Sequence, residues 1–265
     1  MRLISLTFDD ALPEHLDVVA PILNEHGFHG TFYTHLSAPD FAPRAGCWKK
    51  LSEQGHELGN HTIFHPADSQ KSWVTSANAI DDYSVERMAA ELRAANDWLT
   101  LLDGKADRSF AYPCSNSVVG RHGVLRRSIR NTRLERTRLA TWLDAFPGPG
   151  DTRSSYRSAA ENLFTACRGG GLTLCDEIPA TDRMDRFMLP SVSIENDPLE
   201  NIQHFVNRGW SGSKWPILQF HGVGGDHGQN CAPKVFEKFV HWLASEGACV
   251  MTITNAASEV LPPAE

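Results

Sequence analysis

Two adjacent carboxylates near the start of the chain have the residue types for acid–base or metal chemistry. Asp9 and Asp10 follow the apolar stretch Leu3–Phe8, whose composition predicts a short buried strand. Side chains alternate along an extended chain, so the two carboxylates should point in different directions. One could then bind a metal ion while the other accepts a proton. Taken alone, the pair is equally compatible with a solvated Asp-Asp turn.

Two histidines four residues apart form a second candidate element. On one face of a helical turn, the imidazoles of His61 and His65 could share a metal ion. In a chain with 12 histidines this spacing is a weak motif by itself. Combined with a carboxylate from another strand end, however, it gives three protein ligands. Such a set leaves coordination positions open for water, as a catalytic metal requires.

Alternating strand-like and helix-like segments must position these residues. The strongest helix pattern covers 84–102, where apolar residues recur every three or four positions. Strands separated by helices imply parallel pairing, in a barrel or an open doubly wound sheet. Both folds collect their sites at the carboxyl ends of the strands. The predicted strands are 3–10, 30–36, 56–60, 109–112, 165–168, 187–194, 215–221 and 249–254. Their ends carry Asp9, Asp10, Asn60, His61, Tyr112, Pro113, Arg168 and His221.

A length of 265 residues suits one large α/β domain or two small ones, and the segments 66–83 and 120–150 are expected to be surface insertions. The net charge of −7, from 32 acidic and 25 basic residues, argues against a nucleic-acid partner. No apolar run approaches the roughly 20 residues of a membrane span. No signal peptide is recognisable, so the chain is expected to be cytoplasmic or the mature form of a secreted protein. The sequence leaves the compartment, the oligomeric state and any disulfide pairing open.

Four motifs together resemble carbohydrate esterase family 4, the polysaccharide deacetylases with a NodB-homology domain. The resemblance runs from residue 3 to about residue 254, and it implies a single domain over residues 1–265 with an α/β fold, a distorted (β/α)7-type barrel. The motifs are Thr7-Phe-Asp-Asp10, His56-Glu-Leu-Gly-Asn-His61-Thr-x-x-His65-Pro66, Phe110-Ala-Tyr-Pro113 and Leu218-Gln-Phe-His221.

The resemblance implies a role for each motif residue. Asp10, His61 and His65 become ligands of one divalent cation; Zn²⁺ is expected, and Co²⁺, Mn²⁺ or Ni²⁺ also suit such a set. Asp9 becomes the base that deprotonates a metal-activated water, and His221 the acid that protonates the leaving group. The backbone N–H after Pro113, that of Cys114, would stabilise the oxyanion. The expected substrate-binding residues are Tyr112, Pro113, Cys114 and Trp73.

Two positions depart from the family pattern. Ala111 stands where relatives often carry an arginine that steadies the base. Arg168, at the end of another strand, is expected to replace it, because Arg108 lies at the wrong end of its own strand. The acid that orients His221 is also not evident. Asp197 is the candidate and Asp176 the alternative, while His227 is expected to be solvated.

The leading hypothesis is metal-dependent removal of N- or O-acetyl groups from an acetylated poly- or oligosaccharide. An amidase or imidase acting on a small amide is the nearest alternative, because insertions could narrow the groove into a pocket. A non-catalytic carbohydrate-binding relative is disfavoured, since all the motif side chains are present. A serine esterase is disfavoured as well, because Gly209-Trp-Ser-Gly-Ser213 lacks the Gly-x-Ser-x-Gly pattern.

Overall fold

Parallel strands alternating with helices build the structure, a computed structural model that describes residues 1–129, 132–146 and 148–262. Twelve strands lie in these residues: β1 (Leu3–Asp9), β2 (Thr31–Thr34), β3 (Glu57–Asn60), β4 (Phe110–Ala111), β5 (Val118–Val119), β6 (Ser154–Ser155), β7 (Cys167–Arg168), β8 (Val192–Ser193), β9 (Ile217–Phe220), β10 (Gly222–Val223), β11 (Asn230–Cys231) and β12 (Cys249–Val250). The α-helices described are α1 (Ala20–Glu25), α2 (Ala45–Glu53), α3 (Val85–Asp103), α4 (Val124–Ile129), α5 (Arg138–Ala145), α6 (Arg157–Glu161), α7 (Leu199–Ser211), α8 (Pro233–Ser245) and α9 (Ile253–Val260). A π-helical turn, His15–Val19, precedes α1, and the short 3₁₀ turns are Ile80–Asp82, Pro113–Ser115, Arg133–Arg136 and Thr181–Arg183.

Eight strands form one sheet in which every pairing is parallel. The order is β7-β4-β3-β2-β1-β9-β8, and β12 pairs with β1. The sheet curls into a half-barrel with helices packed against it, in a single domain. Isolated bridges from Arg168 to Leu189 and from Leu172 to Val192 link the two ends of the sheet. The predicted (β/α)7-type barrel is therefore confirmed.

Strand β1 lies at the centre of this sheet, between β2 and β9. All seven of its residues are buried. The Phe8 ring stacks against Phe32 of β2 at 4.8 Å and against Phe220 of β9 at 5.5 Å. Burying an aromatic side chain of this size contributes roughly 1.5–3 kcal/mol. The packing fixes the carboxyl end of β1, and with it Asp9 and Asp10, in the middle of the edge where the carboxyl ends of the parallel strands lie.

Helix α3 confirms the predicted amphipathic helix. Ser84 caps its first turn by accepting a hydrogen bond from the Arg87 N–H at 3.2 Å. Gly104, with a φ of +74°, ends it in the left-handed conformation that glycine adopts without strain. The predicted apolar face, all of it buried, consists of Met88, Leu92, Ala95 and Leu99.

Several predicted strands are shorter in the structure, and for two of them a local cause is evident. Beyond Val250 the strand predicted over 249–254 is wrong, because Thr252 caps α9 by accepting a hydrogen bond from the Asn255 N–H at 3.4 Å. Of the strand predicted over 187–194, only Val192 and Ser193 form a strand, β8. Pro190 has no N–H to donate and separates β8 from the bridge at Leu189.

The two predicted surface insertions contact each other. The Gly120 N–H donates to the Ile80 carbonyl oxygen at 3.1 Å, and Arg121 pairs with Asp82. Antiparallel strands β5 and β6 bracket helices α4 and α5. Their assignment as insertions stays a prediction.

Two further features concern membrane spans and disulfides. Among the described residues, no helix combines the length and the apolar character that crossing a membrane needs. The six cysteines all lie within the described ranges, and none of them forms a disulfide.

Candidate metal centre

A left-handed turn separates the two carboxylates at the end of β1. Asp10 has a φ of +79° and Ala11 a φ of +53°. For residues other than glycine this conformation costs roughly 1–2 kcal/mol each. The turn leaves the Asp9 carboxylate buried inside the barrel, while that of Asp10 lies beside two imidazoles at the rim.

His61 and His65 lie in a loop and not on a helical turn, so that part of the prediction is wrong. Residues 61–65 follow β3, and Thr62 and His65 have φ values of +70° and +49°. The Thr62 side chain holds the loop by accepting a hydrogen bond from the His65 N–H at 2.9 Å. Nδ1 of His61 lies 2.8 Å from the Ala111 carbonyl oxygen, which can only accept. The proton of that ring is therefore on Nδ1, and Nε2 keeps a lone pair for a ligand.

Three ligand atoms converge at this turn and loop. Oδ1 of Asp10 lies 3.6 Å from Nε2 of His61 and 3.3 Å from Nε2 of His65. The three residues form a group whose ligand atoms all lie within 4.8 Å of one another. Tetrahedral Zn²⁺ with bonds of about 2.0–2.2 Å separates its ligands by roughly 3.3–3.6 Å. Oδ1 of Asp10 is also buried without a hydrogen-bond partner among the described residues. An orphaned carboxylate oxygen beside two imidazole nitrogens fits a divalent cation.

The protonation states suit metal ligation. Burial lowers the pKa of His61 from 6.5 to about 3, so this imidazole is neutral at pH 7. For Asp10, burial raises the pKa, but His65 and His61 lower it by more, and the net value lies below the ordinary one. An ionised carboxylate and a neutral imidazole are the forms that bind metal ions.

The Asp9 carboxylate is held by an arginine and a glutamine. Its Oδ2 accepts hydrogen bonds from Arg168 Nη2 at 2.5 Å and from Gln219 Nε2 at 2.9 Å. Its Oδ1 is buried and has no partner among the described residues. Arg108, the alternative weighed from the sequence, instead pairs with Asp103 at 3.1 Å. The structure thus brings Arg168, and not Arg108, to Asp9.

His221 lies next to Asp9 at the end of β9. Its Nε2 is 3.9 Å from Asp9 Oδ2, and its backbone carbonyl oxygen is 2.8 Å from Nε2 of buried His15. Burial lowers the pKa of His221 below its ordinary value. Nδ1 of His221 has no hydrogen-bond partner among the described residues.

Neither acid expected to orient His221 reaches it. The Asp197 carboxylate accepts a hydrogen bond from the Glu195 N–H at 2.8 Å, and Asp176 accepts one from the Thr173 N–H at 2.7 Å. Both are contacts of local turns, in which short acidic side chains commonly bind nearby backbone. The expectation that Asp197 orients His221 is therefore wrong. Its carboxylate stabilises a local turn instead.

Two side chains of the site, those of Gln219 and His227, were not among the predicted site residues. Gln219 lies two residues before His221 on β9, hence on the same face of the strand, and this period-two relation could have indicated it. His227 is not simply solvated. Its ring stacks on His221 at 5.3 Å, and its Nε2 lies 3.6 Å from Asp10 Oδ2. Its position depends on the path of the loop after β10, which has no periodic signal.

A cavity of about 660 Å³ opens above these residues. The Trp73 ring, 47% exposed, forms part of its wall and lies 5.3 Å from the His65 ring. Cys114, with a φ of +50°, also lines the cavity. The further lining residues from the loop 66–83 are Lys71 and Asn78.

Tyr112 and Pro113 do not line this cavity. Tyr112 is 2% exposed, and its ring packs against Phe110 at 4.9 Å and Tyr156 at 5.5 Å. Pro113 is buried as well. The expected substrate contact of the Tyr112 side chain is corrected accordingly, because the side chain belongs to the core beneath α3.

The family model described as "Polysaccharide deacetylase" matches residues 1–122 of the chain. This range contains Asp9, Asp10, His61 and His65. The predicted resemblance to carbohydrate esterase family 4 is thereby confirmed. No match was found among the curated proteins.

Solved structures share the fold over nearly the whole chain. The Xyl-CE4 domain of a multidomain xylanase from the hindgut metagenome of Trinervitermes trinervoides has a TM-score of 0.53 and 14% identity, covering 97% of this chain and 90% of that one. A family 4 acetyl xylan esterase from Clostridium thermocellum, in complex with a cobalt ion, has a TM-score of 0.51 and 17% identity, with 98% and 93% covered. PdaA of Bacillus subtilis, a family 4 carbohydrate esterase, has a TM-score of 0.51 and 15% identity, with 97% and 81% covered.

Proposed function

We propose that this protein is a metal-dependent hydrolase that removes N- or O-acetyl groups from a carbohydrate, and the match of residues 1–122 to the family model described as "Polysaccharide deacetylase" supports this. One observation carries the proposal. The buried, unpartnered Oδ1 of Asp10 lies 3.6 Å and 3.3 Å from the Nε2 atoms of His61 and His65. An uncompensated buried carboxylate oxygen is costly, and a divalent cation is a ligand that a carboxylate and two imidazoles can bind together.

Asp10, His61 and His65 would hold one divalent cation, for which Zn²⁺ is expected and Co²⁺, Mn²⁺ or Ni²⁺ also suit the donors. When bound, the ion supplies Lewis-acid chemistry: it lowers the pKa of water and polarises the acetyl carbonyl. Nδ1 of His61 is tied to the Ala111 carbonyl oxygen, so the ring cannot turn its other nitrogen away from Asp10.

Asp9 acts as the base that takes the proton from the attacking water. Arg168 and Gln219 occupy its Oδ2, so the unpartnered Oδ1 is the oxygen that remains to accept a proton. Holding one oxygen fixes the orientation of the other, which is the purpose of positioning in acid–base catalysis.

Two further groups act on the acetyl carbonyl and the leaving group. The Cys114 N–H donates to the developing oxyanion from the turn that follows Pro113. His221 delivers a proton to the leaving amine or alcohol. Because burial lowers the pKa of His221, its protonated form releases the proton readily.

The size of the cavity favours a short substrate. A volume of about 660 Å³ lies within the range of roughly 300–1,000 Å³ typical of small-molecule sites. Trp73 offers a flat apolar face for a sugar ring. A cavity of this size also suits a small amide, so an amidase that uses the same Asp9, Asp10 and His61 chemistry is a second candidate.

Acetate release measured on a substrate panel tests the proposal. The panel contains acetylated chito-oligosaccharides, acetylxylan and small linear and cyclic amides, each with metal-depleted and Zn²⁺- or Co²⁺-loaded protein. We expect the loaded protein to release acetate from a saccharide and the depleted protein to be inactive. The Asp9→Asn variant, which cannot accept a proton, should lose activity by a factor of about 10²–10⁴.

Two outcomes would contradict the proposal. Hydrolysis of the amides alone would favour the amidase. Activity that survives metal depletion would exclude the metal-dependent mechanism for this chain.

A further inference from the structure

We propose that Glu91 is a positioning residue for the metal loop, defined as residues 61–65, and that it acts by holding the backbone between the two histidine ligands. The inference rests on the metal site proposed above, and it concerns a residue outside the four motifs. Glu91 lies in the interior of α3, 30 residues after His61, where a helical carboxylate is ordinarily solvated.

The Glu91 carboxylate binds the centre of this loop directly. Its Oε1 accepts hydrogen bonds from the Ile63 N–H at 3.1 Å and from the Phe64 N–H at 2.9 Å. Ile63 and Phe64 are two of the three residues that separate His61 from His65. Glu91 is only 7% exposed, and hydrogen bonds to a charged acceptor are stronger than those between neutral groups.

The second oxygen of Glu91 is also occupied. Its Oε2 accepts a hydrogen bond from the Tyr83 hydroxyl at 2.8 Å. Tyr83 ends the loop 66–83, and the Arg87 guanidinium lies 3.7 Å from the centre of its ring. Burial and the charge of Glu91 raise the pKa of Tyr83, so the phenol keeps the proton that it donates. One carboxylate thus joins the metal loop, the end of the loop 66–83 and α3.

The metal loop needs such a restraint because its backbone is strained. Thr62 and His65 have φ values of +70° and +49°, which residues other than glycine rarely adopt. Without Glu91, the Ile63 and Phe64 N–H groups lose their acceptor, and the loop can relax towards a conformation that separates the two imidazoles. Partners behind metal ligands typically change metal affinity by about 10–100-fold.

Metal affinity, measured by competition with a chromophoric chelator, tests the inference. Full-length wild type, Glu91→Ala, Glu91→Gln and Tyr83→Phe are titrated with Zn²⁺, and Co²⁺ absorption spectra report the ligand geometry. Asp97→Asn is the matched control, because Asp97 is an exposed carboxylate on the same helix. We expect Glu91→Ala to bind Zn²⁺ about 10–100-fold more weakly than wild type. Glu91→Gln should lose less, since its amide oxygen still accepts the two N–H bonds, and Asp97→Asn should match wild type.

Unchanged affinity in folded Glu91→Ala would overturn the inference. Should that variant fail to fold, Glu91→Gln and Tyr83→Phe decide: affinities equal to that of Asp97→Asn in both would overturn it. A wild type that binds no metal would instead defeat the proposed function. In that case, hydrogen exchange of the 61–65 backbone in metal-free protein tests whether Glu91 restrains the metal loop. Exchange faster in the Glu91 variants than in Asp97→Asn would support a positioning role, and equal exchange would overturn it.

Discussion

The Asp9 carboxylate divides its two oxygens between structure and chemistry. Arg168 and Gln219 bind Oδ2, while Oδ1 has no partner among the described residues. Arg168 and Asp9 are both about 2% exposed at their side chains. A buried ion pair of this kind makes the protein depend on both partners, because removing one leaves an uncompensated charge in the interior.

Replacing Arg168 should therefore destabilise the protein strongly. We expect Arg168→Gln to lower the free energy of unfolding by about 3–5 kcal/mol, measured by urea denaturation. Arg44→Gln is the control, because Arg44 pairs with Asp17, whose side chain is 56% exposed, and exposed pairs contribute about 1 kcal/mol or less. Equal losses in the two variants would show that the Asp9–Arg168 pair is not a buried charge pair.

Single residues differ in how far the sequence predicts them. The strand-end positions of the Asp9–Asp10 pair and of His61 and His65 predict a set of one carboxylate and two imidazoles, since strand ends meet on one face of a parallel sheet. The family resemblance assigns the carboxylate to Asp10. The same argument predicts that Arg168 lies beside Asp9. In the structure, Arg168 donates a hydrogen bond to the Asp9 carboxylate. Asp197 shows the limit of this reasoning. A position soon after a predicted strand does not reveal that its carboxylate accepts a hydrogen bond from the backbone of its own turn.

At the scale of elements, loops complete what the strands begin. The metal loop brings its histidines together through left-handed residues at Thr62 and His65. The loop 66–83 then places Trp73 5.3 Å from the His65 ring, at the wall of the cavity. Substrate contacts should therefore depend on this loop more than on the sheet.

Removing the Trp73 ring should weaken saccharide binding without changing the chemical step. An aromatic contact contributes about 0.5–1.5 kcal/mol, so Trp73→Ala should raise KM for an acetylated oligosaccharide about 2–10-fold. Its kcat should stay within about twofold, because the ring packs beside His65 but supplies no metal ligand and no acid or base. Trp142→Ala, at an exposed tryptophan outside the cavity, should change neither constant. A fall in kcat with unchanged KM would contradict a binding role for Trp73.

Elements were predictable where a local signal exists. Helix α3 has an apolar period, a serine cap and a glycine stop, and all three signals agree with the structure. The metal loop has no such signal, because left-handed residues other than glycine are stabilised by contacts such as those of Glu91 with Ile63 and Phe64. Beyond Val250, the capping signal of Thr252 prevails over strand propensity.

At the scale of the whole molecule, burial of histidines couples folding to pH. Burial lowers the pKa values of His15 and His56 from 6.5 to about 4. Between these values the unfolded chain binds protons that the folded chain does not. The contribution of these two histidines to the free energy of unfolding is therefore fully present above about pH 6.5 and is lost as the pH falls towards 4.

His56 lies away from the metal centre and permits a test of this coupling. Its titration should lower the free energy of unfolding of metal-free protein by about 2 kcal/mol between pH 7 and pH 5. In His56→Gln the difference between these two pH values should shrink by that amount, measured by urea denaturation. His204→Gln, at an exposed histidine, should leave the difference unchanged. An unaltered difference in His56→Gln would contradict the coupling.

The parallel sheet brings the ends of distant segments to one place, and the account of function depends on a cation being held there. Anomalous diffraction from a crystal grown with Co²⁺ is the most direct measurement. We predict one strong peak within about 2.0–2.3 Å of Asp10 Oδ1 and of Nε2 of His61 and His65, and its loss in Asp10→Ala. A peak located elsewhere, or none at this position at full Co²⁺ saturation, would contradict the proposed metal centre.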